Sequence, residues 1–308
     1  MTYDIIIPVA GKDISFLGKV VKYIRKNLTE AEYVYIITNK NNFNHSFFRN
    51  NTDSKVIKLD ENTLIPGLTF GSVRKYLVEH DCYVSPGWYL QQFLKLGFAT
   101  TKYARKYYLS WDSDTLPLSY ISFFDGEHPV FTRKKEVHQA YFETIERLLG
   151  LKKQKEYSFI AEHMMFCSDT VREMIGEIMQ SRWSGDCWHE KVIDACNFKG
   201  EFSGPHFSEF ETYGTYCTAR HPEMYRTQVL NTFRGAGFIR GRYVSDKILA
   251  KMALDLNTAS FELYDKPLFP YSIPYYVELW RTKLHKAMSM SWQMRIRTIM
   301  KKLGLKHG

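Results

Sequence analysis

The sequence predicts a doubly wound α/β/α sandwich, and three observations carry that expectation. Asp4-Ile5-Ile6-Ile7-Pro8-Val9-Ala10-Gly11 is a β-branched run closed by Pro and Gly, the mark of a central strand buried on both faces. Residues 15–27 follow at helical spacing, with Leu17, Val20, Val21 and Ile24 on one side, and residues 33–39 and 55–59 read as two further strands. Strand, helix, strand on short connectors begins a doubly wound sheet. The third observation is Tyr107-Tyr108-Leu109-Ser110-Trp111, an apolar and aromatic run that ends abruptly in Asp112-Ser113-Asp114 and is broken by Pro117.

The elements between and after these follow from the same rules. Residues 69–80 have helical spacing, with Val73, Leu77 and Val78 inward and Arg74 and Lys75 outward. Residues 85–97 form a better-marked helix, in which Ser85 can cap, Pro86 suits the first turn and Gly97 suits the end. Trp88, Gln91, Gln92 and Lys95 share a polar and aromatic side of it. Beyond Pro117, a strand is expected at 128–132, an amphipathic helix at 137–149, and a segment strand-like at first at 157–166, apolar apart from Glu162 and His163. Helices follow at 168–180 and 188–196. Residues 225–242 look strand-rich and irregular, 244–256 helical, and 268–274 linker-like, with Pro270 and Pro274. No G-x-G-x-x-G follows the first strand, so a dinucleotide-binding domain is unsupported.

Composition narrows the class. The 308 residues can bury a sizeable core, and 44% hydrophobic with 24% charged residues is ordinary for a folded soluble protein. The net charge of +9 is uneven. Residues 281–308 hold eight Lys and Arg and no Asp or Glu, so +8 of the +9 sits there and about +1 is left for the first 280 residues. A nearly neutral body argues against a nucleic-acid partner. The five cysteines include no C-x-x-C pair, so neither a zinc knuckle nor a disulfide framework is suggested. No positive segment precedes an apolar run at the start, and no apolar stretch approaches the roughly 18 residues that span a bilayer. A cytoplasmic location is the expectation.

Asp112 and Asp114 carry the chemistry. Side chains alternate along a strand, so both carboxylates would share a face at its exit. Two convergent carboxylates make a hard-oxygen site suited to Mg²⁺ or Mn²⁺, with room for phosphate oxygens. The alternative is a solvated Asp-Ser-Asp turn. Ligands of doubly wound sheets sit beyond the carboxyl ends of strands, where Val9, Ala10, Gly11 and Asn39 fall.

An α/β start leading to Asp-x-Asp resembles the GT-A fold glycosyltransferases over roughly residues 3–243. Gly87-Trp88-Tyr89-Leu90-Gln91-Gln92-Phe93-Leu94-Lys95-Leu96, Ser110-Trp111-Asp112-Ser113-Asp114 and Ser208-Glu209-Phe210-Glu211-Thr212-Tyr213-Gly214 are similar to segments of poorly characterised bacterial proteins of that kind, associated with surface-polysaccharide assembly. The resemblance implies a GT-A-like sandwich with a mixed central sheet. It implies a catalytic domain at 1–267, with a nucleotide-binding half at about 1–118 and an acceptor half at 119–267, before a linker and basic helix at 268–308. It implies a nucleotide-sugar donor, a saccharide or lipid-linked glycan acceptor, and Mn²⁺ or Mg²⁺ held by Asp114, with Asp112 on the ion or the ribose. A later histidine often completes such a site, and His163, His206 and His221 are candidates. Pro8, Val9 and Ala10 are expected against the base, Lys12, Asp13 and Asn39 near the base or ribose, Arg74 at phosphate, and Gln91 and Gln92 at nucleotide or sugar hydroxyls. Glu209 and then Glu211 are candidates for the carboxylate facing the acceptor or stabilising the reacting sugar, and Glu162 is the next. Arg234-Gly235-Ala236-Gly237 can bring amides to a diphosphate or form a turn.

From Leu284 to Leu305, Leu284, Met288, Trp292, Ile296, Ile299 and Leu303 recur near helical spacing among Lys and Arg. A helix of that pattern can lie on an anionic membrane surface, which would make the protein peripheral on the inner face of the cell membrane. Two other functions remain open at this point: a sugar-nucleotidyltransferase, for which Gly11-Lys12 is the sole remnant of the expected glycine-rich loop, and a non-catalytic glycan- or nucleotide-binding protein.

Overall fold

The structure, a computed structural model, describes residues 1–82, 85–198, 204–273, 275–277 and 280. The basic segment 284–305 lies outside the described residues. Two compact units are present, residues 1–232 with 252–259, and residues 233–251 with 260–308.

The first unit is built on a five-stranded sheet. β1 (Tyr3–Pro8), β2 (Ala31–Thr38), β3 (Val56–Asp60), β4 (Tyr107–Trp111) and β8 (His163–Cys167) lie in the order β3-β2-β1-β4-β8. The first four are parallel, and β8 runs antiparallel to β4. The expected mixed sheet is therefore present. β1 is buried at every position, as its unbroken apolar run requires. Its Asp4 carboxylate, fully buried, accepts the Tyr33 N–H at 3.1 Å and meets the Arg105 guanidinium at 3.3 Å, so the charge is not left alone in the core.

The sheet's two faces follow the two-residue period. Ile6, Tyr35, Ile37, Tyr108, Met164 and Phe166 join one large core with α3 (Phe70–Glu79), α4 (Pro86–Gly97), α5 (Gln139–Leu149), α6 (Ser168–Gln180), α7 (Trp188–Ala195) and α8 (Glu209–Arg220). α1 (Ile14–Asn27) covers the other face with Leu17, Val20 and Ile24, and its buried Asn27 donates to the Pro117 carbonyl at 2.6 Å. α2 (Ser46–Asn50) precedes β3 and is a single short turn. β5 (Thr115–Pro117), β6 (Phe124–Asp125), β7 (His128–Thr132) and β9 (Arg226–Gln228) are further short strands of this unit, with β7 antiparallel to β6 and parallel to β9.

Local signals explain the helix ends that matter. Thr69 and Ser72 form a reciprocal capping box at the start of α3. Pro86 opens α4 as expected. Gly97 closes it for a different reason from the one its position suggests, because a Cβ there would lie 2.5 Å from Ile65 Cδ1. The requirement is close packing, not a left-handed cap. Ser208 caps α8, its Oγ accepting the Glu211 N–H at 3.3 Å.

Three expectations need correction. Only the last part of 157–166 becomes a strand. Residues 112–114 are a turn between β4 and β5, so strand alternation does not orient the two aspartates. In the second unit, residues 237–240 wind into a helical turn, with Phe238 N donating to Gly235 O and Ile239 N to Ala236 O, where strand had been expected. There Arg240 also stacks its guanidinium over Tyr271 at 4.3 Å.

Candidate active site

The strand order fixes where a ligand can bind. The chain leaves β1 toward β2 and β3 on one side, then returns to place β4 on the other, so β1 and β4 flank the topological switch point. Their register pairs Asp4 with Tyr108 and Ile6 with Ser110, and β1 ends at Pro8 while β4 ends at Trp111, directly before Asp112. A cleft of roughly 190 Å³ opens at this edge, lined among others by Pro8, Val9, Ala10, Asn39, Glu61 and Gln91. Its polar floor is organised: Asn39 donates to Glu61 at 3.4 Å, and Asn42 donates to the Thr38 hydroxyl at 2.9 Å. Burial raises the Glu61 carboxyl above its usual range, although the Asn39 bond opposes this. Lys12, Asp13 and Arg74 do not line this cleft, and Lys12 and Arg74 are exposed. Glu61, Phe70 and Gly87 do, and sequence reasoning missed them.

Beside the cleft, α4 delivers a lysine to the acidic turn. Lys95 Nζ lies 3.0 Å from Asp112 Oδ1 and 2.7 Å from Glu209 Oε1, and 4.3 Å from the centre of the Phe210 ring. The Lys95 side chain is 7% exposed and that of Glu209 2%, whereas Asp112 is 37% exposed. Burial alone would lower the ammonium's pKa, but the Asp112 and Glu209 carboxylates hold it above the usual lysine range. For Glu209 burial is the larger influence and raises its pKa, while Lys95 pulls it down. The Gln92 amide, one turn before Lys95, lies against the same Glu209 carboxylate. One ammonium thus joins the acidic turn to the first residue of α8. Lys95 itself was legible only as one member of a polar helix side.

The other candidates are placed elsewhere. Glu162 is buried and paired with Lys134 at 3.1 Å, and Lys134 also donates to Thr232 at 2.6 Å. The Glu162 carbonyl accepts the Asp112 N–H at 3.0 Å, so Glu162 supports the turn through its backbone. His163 stacks on Trp111 at 5.0 Å, and its Nε2 hydrogen-bonds with the Thr132 hydroxyl at 2.9 Å. Burial, with Lys134 nearby, lowers its pKa to about 3, so the ring is neutral. Among the described residues, Asp112, Asp114 and His163 do not bring three ligand atoms together. His206 is buried beside Phe198, and His221 pairs with Glu173 at 2.8 Å. Glu211 turns away from Lys95 and accepts the Phe159 N–H at 2.9 Å. Sequence grouped Glu209 with Glu211; the helix separates them.

Burial pushes the Glu211 carboxyl up to about 7, against 4.5 for an ordinary glutamate. A raised folded pKa means that the folded chain holds the proton more tightly than the unfolded one. The associated stability is full below about pH 4.5 and is lost as pH rises through about 7, a loss of about 3 kcal/mol. Glu211→Gln is expected to remove that slope. Urea unfolding of both proteins at pH 5 and pH 8 checks it, and an unchanged difference between the two pH values would rule the assignment out.

Fold and site together define an α/β protein with a ligand cleft and an acidic turn at the switch point of a mixed sheet. The chain belongs to a family of unknown function, DUF6492, matched over residues 5–235. No curated protein matches it. Among solved structures it is similar to mouse xyloside xylosyltransferase 1, at 11% identity and a TM-score of 0.44, over 84% of this chain and 97% of that one. It is similar to the galactosyltransferase LgtC in complex with donor and acceptor sugar analogues, at 10% identity and a TM-score of 0.41, over 95% and 99%. The mannosyltransferase Ktr4p from S. cerevisiae matches at 10% identity and a TM-score of 0.39, over 63% and 66%.

Proposed function

We propose that the chain is a metal-dependent glycosyltransferase that moves a sugar from a nucleotide-sugar to a saccharide or lipid-linked glycan acceptor in bacterial surface-polysaccharide synthesis. The observation supporting this reading is the meeting, at one switch point, of an open cleft beyond the strand ends and an acidic turn braced by a buried lysine. In this reading Pro8, Val9, Ala10, Asn39 and Gln91 hold the nucleoside. Asp112 and Asp114, hard-oxygen donors on a partly exposed turn, fit Mg²⁺ or Mn²⁺, and only Oδ1 of Asp112 faces Lys95. Such an ion, when bound, supplies Lewis-acid neutralisation of the leaving diphosphate.

The chain's own residues do the rest. Lys95 fixes the Asp112 carboxylate and brings positive charge to the turn. Glu209, buried on Lys95 and Gln92, is in this reading a positioning residue that keeps the ammonium in place rather than an open acceptor base. The basic segment 284–305 is proposed as the contact with an anionic membrane surface, supported by its sequence spacing alone.

The test is a thermal-shift screen of nucleotide-sugars with and without Mn²⁺. At 100-fold above Kd a ligand adds about 2.7 kcal/mol, a rise of roughly 4 °C for a chain of this length. One nucleotide-sugar should give a Mn²⁺-dependent shift that Asp114→Ala abolishes, and turnover should release a nucleoside diphosphate or monophosphate. Asp114→Ala should cut turnover by on the order of 100-fold or more. Pyrophosphate release would identify a nucleotidyltransferase instead, and binding without transfer a non-catalytic protein.

A further inference from the structure

A second cluster lies at the start of α7, where Trp188 and His189 pack on Phe93 of α4. Cys187 Sγ, a ring nitrogen of His189 and a carboxylate oxygen of Glu190 all lie within 4.8 Å of one another. His189 is 2% exposed, and both its ring nitrogens are buried without a hydrogen-bond partner. A neutral imidazole carries one donor and one acceptor, and leaving both unsatisfied in the interior is costly and uncommon. The neighbouring ring, Phe93 at 5.8 Å, offers it no hydrogen-bonding atom.

The surrounding backbone holds the three side chains in place. Gly185, at φ +137°, lets the loop fold so closely that a Cβ would come 2.6 Å from Glu190 Cβ. That turn brings the Asp186 and Cys187 N–H groups onto Glu190 Oε2 at 2.8 and 3.1 Å, while the Glu190 N–H donates to the Cys187 carbonyl at 3.1 Å. Gly67 lies over Cys187, where a Cβ would stand 3.5 Å from the sulfur. Cys187 is the partly exposed cysteine; Cys82, Cys167, Cys196 and Cys217 are buried. An ion can therefore reach the sulfur from solvent and find the orphaned imidazole behind it.

We propose that Cys187, His189 and Glu190 form a binding site for a zinc-type divalent ion, separate from the acidic turn. One thiolate, one imidazole and one carboxylate are the donor set of borderline-soft Zn²⁺ and leave a fourth position for water. Bonds of 2.0–2.3 Å in tetrahedral geometry separate ligand atoms by about 3.3–3.8 Å, which small side-chain rotations here would reach. The positive end of the helix disfavours a cation, but a thiolate and a carboxylate bring two negative charges to the same place. Binding releases the thiol proton to solvent. Trp188 packs edge-on against Phe93 of α4 at 5.4 Å, so an ion here would stiffen the back of the helix that presents Gln92 and Lys95.

Cobalt(II) titration of the whole, metal-stripped chain reads the site directly. One equivalent should produce a thiolate-to-cobalt charge-transfer band that Zn²⁺ displaces and that Cys187→Ser abolishes. Iodoacetamide labelling with peptide mapping needs no variant: Zn²⁺ should slow alkylation of Cys187 at least tenfold. Mn²⁺ at a carboxylate site would give neither result. The absence of the band in the wild-type chain, a band that survives Cys187→Ser, or an alkylation rate unchanged by Zn²⁺ would each overturn the proposal.

Discussion

Replacing Lys95 with methionine is expected to destabilise the fold by about 3–5 kcal/mol at pH 8, the usual cost of removing one partner of a buried ion pair. Methionine keeps an unbranched chain one heavy atom shorter and removes the charge. Glu209, 2% exposed, would then face Asp112 with no ammonium between them. Burial already raises the Glu209 carboxyl, and losing Lys95 raises it further. Its protonated form then carries the folded state, so the penalty should shrink as pH falls from 8 to 5. The double variant Lys95→Met with Glu209→Gln should recover most of the lost stability, because the uncompensated charge is gone. Turnover should fall on the order of 100-fold in both variants, since neither holds Asp112. Urea unfolding at the two pH values separates the cases; a loss below about 1 kcal/mol at pH 8 would mean the cluster is hydrated and weak.

Gly214→Ala is expected to cost about 3 kcal/mol, against helix propensity. In an exposed helix interior the same change would gain about 1 kcal/mol. Here a Cβ would stand 2.2 Å from Phe159 Cδ2 and 2.4 Å from its Cγ. Phe159 cannot yield easily. It is 2% exposed, packs edge-on against Phe131 and Tyr157 at 5.1 and 5.5 Å, and gives its N–H to Glu211. Overpacking of this kind costs about 1–3 kcal/mol, and disturbing the bond to a buried carboxyl adds to it. Thermal unfolding checks the sign. A stabilised variant would show that Phe159 relaxes freely.

The parallel strands and the cleft edge were legible because their signals are local. Ile5 to Ile7 is apolar at consecutive positions, and Val9 to Gly11 and Asn39 line the cleft beyond the strand ends, where the switch-point rule puts them. Pairing direction is not local, so nothing in His163 to Cys167 announces an antiparallel strand beside β4. The Asp-Ser-Asp orientation failed for a related reason: the strand ends at Trp111, one residue too early for alternation to act. Lys95 was half-legible. It interrupts Phe93-Leu94-Lys95-Leu96, and a lysine inside an apolar stretch demands a carboxylate. Which carboxylate is a tertiary fact. Glu209 and Glu211 look equivalent two residues apart, yet the helix sends one to Lys95 and the other to the Phe159 backbone.

The lysine bridge also sets a timetable for synthesis. A nascent chain that has reached residue 118 already contains Lys95 and Asp112, while Glu209 has not yet been made. Until α8 emerges, the ammonium has only the more exposed of its two carboxylates, and water must serve in place of the other. The sheet's parallel half can form early from its own strands, but the seat of Lys95 can close only when the late helix docks.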